Sequence, residues 1–264
     1  MGPVRVTLCY TTLVAAVTAV TVQMAPDRYA ALVRHVSTNL HNLGHGRFVT
    51  LIGSAFVVDA GPVYLWLPGL VCLLAAAEML WGGWRLVQTV VAGHVVASLV
   101  VAAGLAVAVH MGWLPAAIAR ASDTGISYVA MAALGALTGA IPSRWRPAWR
   151  GWWGAAAVMV LAGGPDFTDV GHLLALAIGA TLSLRFGVPS GWTGPRITLS
   201  AAGAVFGYLV LTGGAESTGY GVAWGALGAL WCAGVARLWR GRNEARHLPA
   251  GGASAPVSGQ RTST

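Results

Sequence analysis

The sequence predicts an all-α polytopic membrane protein, and three observations carry that prediction. Charged residues make up only 9% of the chain and apolar residues 56%, whereas ordinary soluble domains carry about 25% charged residues. Mean hydropathy is +0.67. The apolar residues gather in eight windows near the length of about 20 residues that a helix needs to cross a bilayer. Helices are the expected element, because backbone facing lipid must satisfy its own hydrogen bonds. No run shows the ten-residue alternation of an outer-membrane barrel.

In order along the chain, the windows cover about 6–24, 62–81, 86–110, 125–141, 152–164, 169–186, 197–212 and 219–238. The first has a short basic start, as a signal peptide would, but no small-x-small cleavage site, and it is read as a retained span. The loop between the first two, about 25–61, mixes polar and apolar residues ("DRYAALVRHVSTNLHNLGHGRFVTLIGSAF") and is expected to form short interfacial helices. The end of the chain, "HLPAGGASAPVSGQRTST", has the composition of a disordered tail.

The net charge of +8 comes entirely from arginine on the basic side. These arginines lie mainly between apolar windows, so orientation in a bilayer explains them better than nucleic-acid binding. Arg5, Arg85, Arg144, Arg146, Arg150, Arg185, Arg196 and the run from Arg237 to Arg246 fall on one side. Arg28, Arg34, Arg47 and Arg120 share the other with Asp27, Asp59, Asp123, Asp166, Asp169 and Glu216. The asymmetry puts both termini in the cytoplasm, and a bacterial plasma membrane is the expected location. Cys9, Cys72 and Cys232 lie apart within apolar windows, so they suggest packing, with no metal-ligand spacing.

Ionisable and hydroxyl groups inside spans are costly and therefore functional candidates. Glu78 and His94 are expected to be satisfied locally within the bundle. Ser127 and His172 each follow the start of an outside-to-inside span by a few residues, which places them at matching, shallow depth. A serine becomes a nucleophile when a base in hydrogen-bond reach takes its proton, and neutral histidine is the usual base. Gly125, Gly135 and Gly139 on one span, with Gly171 and Gly179 on the other, would let the helices approach closely. The plainer reading is a serine bonded to its own backbone and a histidine that packs or caps.

These residues resemble the rhomboid family of intramembrane serine proteases, over roughly residues 6 to 187. "GIS" at 125–127 is similar to the family's Gly-x-Ser motif, and "GHLLALAIG" at 171–179 to its histidine-bearing sixth helix. Arg47, in "GRFVTLIGSAF", matches the arginine of the family's first loop, and Glu78 falls where the family often has an acid. The resemblance implies a six-helix core over 1–187, two additional transmembrane helices over 188–240 and a tail over 241–264. It also implies that Ser127 is the nucleophile and His172 the base, and that the backbone of Gly125, Ile126 and Tyr128 supports the oxyanion. Gly135, Gly171 and Gly179 would pack helices, and Arg47 and Glu78 would be structural.

Two departures stand out. Tyr128 replaces the glycine after the serine, and "LWLPGLVCLLAA" at 65–76 lacks the second-helix histidine and asparagine. Loss of one oxyanion donor typically costs about 10²–10³ in rate. His41, Asn42 and His45 lie on the correct side to substitute, although a loop role suits each better. The leading expectation is an endopeptidase that cuts transmembrane segments near the outer face. The alternative is a pseudoprotease of the same fold that binds transmembrane helices. Partners are transmembrane substrates or clients and the lipid bilayer, with no nucleic acid, no metal and no organic cofactor.

Overall fold

The computed structural model describes residues 4–58, 63–164, 166–213 and 215–247. Asp59 and the tail from residue 248 lie outside these, as do the side chains of Glu216 and Arg246. Every long element among the described residues is a helix, beginning with α1 (Arg5–Thr21), α2 (Pro26–Val36), α3 (Leu40–Gly44), α4 (Thr50–Gly53), α5 (Val63–Trp81) and α6 (Gly83–His110). The series continues through α7 (Ile126–Ala140), α8 (Arg146–Ala162), α9 (Phe167–Ser183), α10 (Gly194–Thr212) and α11 (Ala215–His247). The eight apolar windows coincide with α1 and α5 to α11. The last helix is longer than its window, because it carries on through the arginines to His247, seven residues into the stretch expected to be tail.

Gly83–His110, Gly194–Thr212 and Gly219–Arg240 are each long and apolar enough to cross a membrane alone; the apolar helices 5–21, 66–81, 126–140 and 167–183 are shorter. The chain is an integral membrane protein. Pro26, Pro147 and Pro195 occupy first-turn positions of α2, α8 and α10, where a missing N–H costs nothing. Asp166 caps α9 by accepting from the Thr168 and Asp169 amides, while the Asp169 side chain returns a bond to the Asp166 amide. Gly82 turns α5 directly into α6 at φ 85°, a conformation that favours glycine.

Helix α7 is the axis of the bundle and is buried along nearly its whole length. It packs against α5, α6, α9 and α10, while α8 pairs chiefly with α11. In that pair the glycines are mutual, since a Cβ on Gly151 would lie 2.2 Å from the Gly228 carbonyl oxygen. The C-terminal carbonyls of α7 would be orphaned in an isolated helix. Here Arg146 donates to the Gly139 and Ile141 carbonyls, and the indoles of Trp81 and Trp192 donate to those of Ala136 and Ala140. A cation at a helix C-terminus also complements the helix dipole.

Glu78 is buried near the same end of the bundle. Its carboxylate accepts from the Val6 amide at 3.0 Å, the Thr7 amide at 2.8 Å and the Thr7 hydroxyl at 2.7 Å. An anion on the first-turn amides of α1 satisfies both hydrogen bonding and the dipole. Glu78 therefore joins the start of α1 to the end of α5, and the geometry gives it a structural role. The arginines Arg5, Arg85, Arg144 and Arg185 cluster at this end, where the Arg85 guanidinium lies over the Phe186 ring.

A buried polar cluster at the start of the central helix

The segment leading into α7 is clasped by the long first loop. The Thr38 amide donates to the Asp123 carbonyl at 3.1 Å, the Asp123 amide donates to Ser37 Oγ at 2.5 Å, and the Gly125 amide donates to the Ser54 carbonyl at 2.9 Å. The Thr38 and Ser54 hydroxyls lie 2.8 Å apart, and Ser54 Oγ lies 3.3 Å from His94 Nε2. His94 Nε2 also reaches the Leu51 carbonyl at 2.7 Å. A carbonyl only accepts, so Nε2 carries the proton and Nδ1 is left bare. The edge of this ring lies against Gly125, where a Cβ would come within 1.8 Å of Cε1. His94 thus bonds the loop through Nε2 and packs on α7, while its buried Nδ1 has no partner.

That contact also sets the depth of the site. His94 stands eleven residues after Gly83 in the 28-residue α6, about 16 Å along a helix of about 42 Å at 1.5 Å per residue. The start of α7 therefore lies beside the middle of α6. The cause is the non-helical segment before Gly125, which runs down into the bundle. Such backbone survives at depth only when the protein satisfies it, and the Ser37, Thr38 and Ser54 bonds do so.

Within the loop, Asn42 donates to the carbonyls of Arg34, His35 and Ser37, and Arg47 donates to Asn42 Oδ1. Both residues organise the loop itself. The His41 and His45 rings pack together at a tilt of 49°, with centroids 4.4 Å apart.

Four helical contacts join α7 to α9. Tyr128 lies against Gly171, Ala132 against Gly179, Gly135 against Leu176, and Gly139 against Ser183. A Cβ at Gly179 would lie 2.0 Å from the Ala132 carbonyl oxygen, one at Gly135 2.1 Å from that of Leu176, and one at Gly171 2.1 Å from the Tyr128 hydroxyl. Tyr128 is fully buried, with its ring edge-on to His172 at 5.6 Å between centroids and 86° between planes. Gly171 therefore makes the room that Tyr128 fills.

Ser127 lies on a different face. At 100° per residue it shares its side of α7, within about 20°, with Leu134 and Thr138. Leu134 packs against Gly207 of α10, and Thr138 accepts from the Trp149 indole of α8. Tyr128, in contrast, shares the α9 face with Gly135 and Gly139. No hydrogen bond joins Ser127 to His172, and both ring nitrogens of His172 are buried without a partner. Nor does Ser127 bond back to its own backbone, so the plain reading of the serine is not realised either. The first-turn amides of Ile126, Ser127 and Tyr128 have no acceptor inside their helix, as at any helix start. The fully buried part of α5 is apolar (Leu70, Leu73, Leu74 and Ala77), while near its start the Trp66 indole N–H is buried without a partner.

The sequence reading did not single out Asp123. Its carboxyl is buried, and burial pushes its pKa up to about 6, against a smaller downward pull from the Tyr128 hydroxyl. The two groups face each other without reaching strict hydrogen-bond geometry, and Asp123 Oδ1 and the Tyr128 hydroxyl both lack a partner. The signal available was the cluster "SDTG" just before a buried helix, where a carboxylate has little water. Because the folded pKa exceeds the unfolded 3.8, stability is greatest below about pH 4 and falls as pH rises through about 6. Ionising the buried group costs on the order of 2–3 kcal/mol. Thermal unfolding across pH 4 to 8 is expected to show this fall in the wild type and not in Asp123→Asn.

This architecture is that of an all-helical integral membrane protein built round one buried helix, with a polar cluster at that helix's start. The chain belongs to the rhomboid-like protein family, whose model matches residues 4–186. No curated protein and no solved structure matches it. The match ends at Phe186, so α10 and α11 lie beyond it.

Proposed function

We propose that this protein holds transmembrane helices of other membrane proteins without cleaving them. The observation behind this reading is the phase of α7. Tyr128 meets His172, while Ser127 shares its side of α7 with Leu134 and Thr138 and makes no hydrogen bond with the histidine. A serine hydroxyl without a base in reach is a poor nucleophile. The first loop serves as a fixed collar on α7, and the arginine-rich end supports a cytoplasmic location for both termini.

One observation favours the second reading, a serine endopeptidase. Buried polar atoms are nearly always paired, yet both ring nitrogens of His172, on the helix packed against α7, are buried without a partner. Reconstitution with a model single-span protein in proteoliposomes separates the two. The expected result is that the protein retains the intact substrate on affinity purification, equally in wild type and Ser127→Ala. Substrate cleavage that disappears in Ser127→Ala would establish the endopeptidase.

A further inference from the structure

Between α1 and α6 the chain leaves a cavity of about 240 Å³. The two helices touch at their starts, where a Cβ on Gly83 would lie 2.9 Å from Val6 Cγ2. Further along, the first loop comes between them. The Tyr10 ring of α1 packs on Phe56 with centroids 5.3 Å apart, and His94 of α6 bonds the Leu51 carbonyl. What remains is a slot along one face of α6 from Leu86 to Val95, floored by the buried Leu74 and Val129. At 1.5 Å per residue that stretch of helix covers about 14 Å, close to half the hydrocarbon core of about 30 Å. Ile52 and Val91 stand at the edge of the slot and are exposed, so its side is open to the bilayer.

The lining is apolar because its few polar groups are turned to protein partners. The Thr7 hydroxyl donates to Glu78, the Tyr10 hydroxyl to the Ala55 carbonyl and His94 Nε2 to the Leu51 carbonyl, while His94 Nδ1 lies against Gly125. Water gains nothing there, since apolar cavities stay dry, and an empty slot forfeits the contacts of its walls. Hydrocarbon is the occupant that the surroundings supply. The end of the slot at Val6 and Leu86 adds a headgroup signal. Arg5 and Arg85 directly precede these residues, and Trp84 is exposed as an indole at the membrane interface would be. The Arg85 guanidinium lies over Phe186, whereas Arg5 is exposed. An arginine at this level is attracted to anionic lipid.

We propose that this slot binds one acyl chain of an anionic phospholipid from the leaflet at the arginine-rich end, with the headgroup at Arg5. The chain fills the space behind residues 51–56 and backs the loop where the Ser54 carbonyl accepts from the Gly125 amide. The lipid is thus a structural ligand of the collar on α7, whichever role Ser127 has.

The test uses the full chain in phosphatidylcholine proteoliposomes with a trace of phosphatidylglycerol that carries a photoreactive diazirine midway along one chain. Labelled peptides are read by mass. Labelling is expected to concentrate on residues 51–56 and 86–95, above that at Val205 and Leu209, which are exposed on α10. Replacing host phosphatidylcholine by unlabelled phosphatidylglycerol, at constant probe, is expected to suppress labelling of the slot severalfold and leave α10 unchanged, because only a site saturates. Arg5→Gln is expected to cut the preference of the slot for the phosphatidylglycerol probe over a phosphatidylcholine probe about fivefold, the factor that corresponds to about 1 kcal/mol. Val90→Trp, which puts a ring into the slot, is expected to abolish labelling there and spare α10. Slot labelling no greater than that of α10, slot labelling that host phosphatidylglycerol does not suppress, or equal labelling by the two probes overturns the proposal. The lipid exchange uses the unaltered chain, so it decides even if Val90→Trp fails to fold.

Discussion

Glu78→Ala is expected to destabilise the protein by about 3–5 kcal/mol. The substitution leaves two first-turn amides and the Thr7 hydroxyl without their acceptor. Each buried donor left unpaired costs about 1–3 kcal/mol. A compensating response is hardest to find at Thr7, which is fully buried and loses both its amide and its hydroxyl partner. Glu78→Gln keeps one acceptor oxygen but loses the charge opposite the dipole, so about 1–2 kcal/mol is expected. Unfolding in mixed micelles of increasing denaturing detergent measures both. A cost below about 1 kcal/mol for Glu78→Ala would contradict the structural role assigned to this carboxylate.

The second large effect concerns the seam between α7 and α9. Gly179→Ala is expected to cost about 3 kcal/mol, at the upper end of the range for overpacking. The added methyl would lie 2.0 Å from the Ala132 carbonyl oxygen. The obstacle is backbone, so no side chain can rotate away and the two helices must separate. Gly135→Ala meets the Leu176 carbonyl oxygen in the same way, at 2.1 Å, and should behave alike. Gly104→Ala is the control, since nothing lies within 4 Å of a Cβ there. It is expected to be neutral or to stabilise by about 0.5–1 kcal/mol through helix propensity. Similar losses at Gly104 and Gly179 would show that the seam is not set by glycine contact.

Much of this fold was legible in the sequence, because lipid imposes simple rules. Apolar windows marked all eight long helices. Glu78 stood out as an acid in an apolar run, although its partners at Val6 and Thr7 depend on how α1 meets α5. The site was harder to read, for three physical reasons. Ser127 and Tyr128 are neighbours in sequence but about 100° apart round a helix, and span spacing does not fix that phase. The depth of Gly125 depends on the loop bonds of Ser37, Thr38 and Ser54, which are tertiary. The seat of α10 on Gly69 and Leu134 is a packing choice that apolar periodicity leaves open.

Those three features carry the functional reading. The collar round Gly125 holds the start of α7, and Tyr128 fills the contact with His172. That leaves Ser127 on the side of α7 where Leu134 meets α10, a helix from outside the family segment. The proposed helix-holding role makes no demand on Ser127 to act as a nucleophile.

The most direct measurement is labelling by a serine-reactive fluorophosphonate in proteoliposomes, comparing wild type with Ser127→Ala and His172→Ala. If Ser127 and His172 face different helices, the wild type is labelled no more than either variant. Labelling of the wild type that both substitutions abolish would show a working serine–histidine pair and contradict the account.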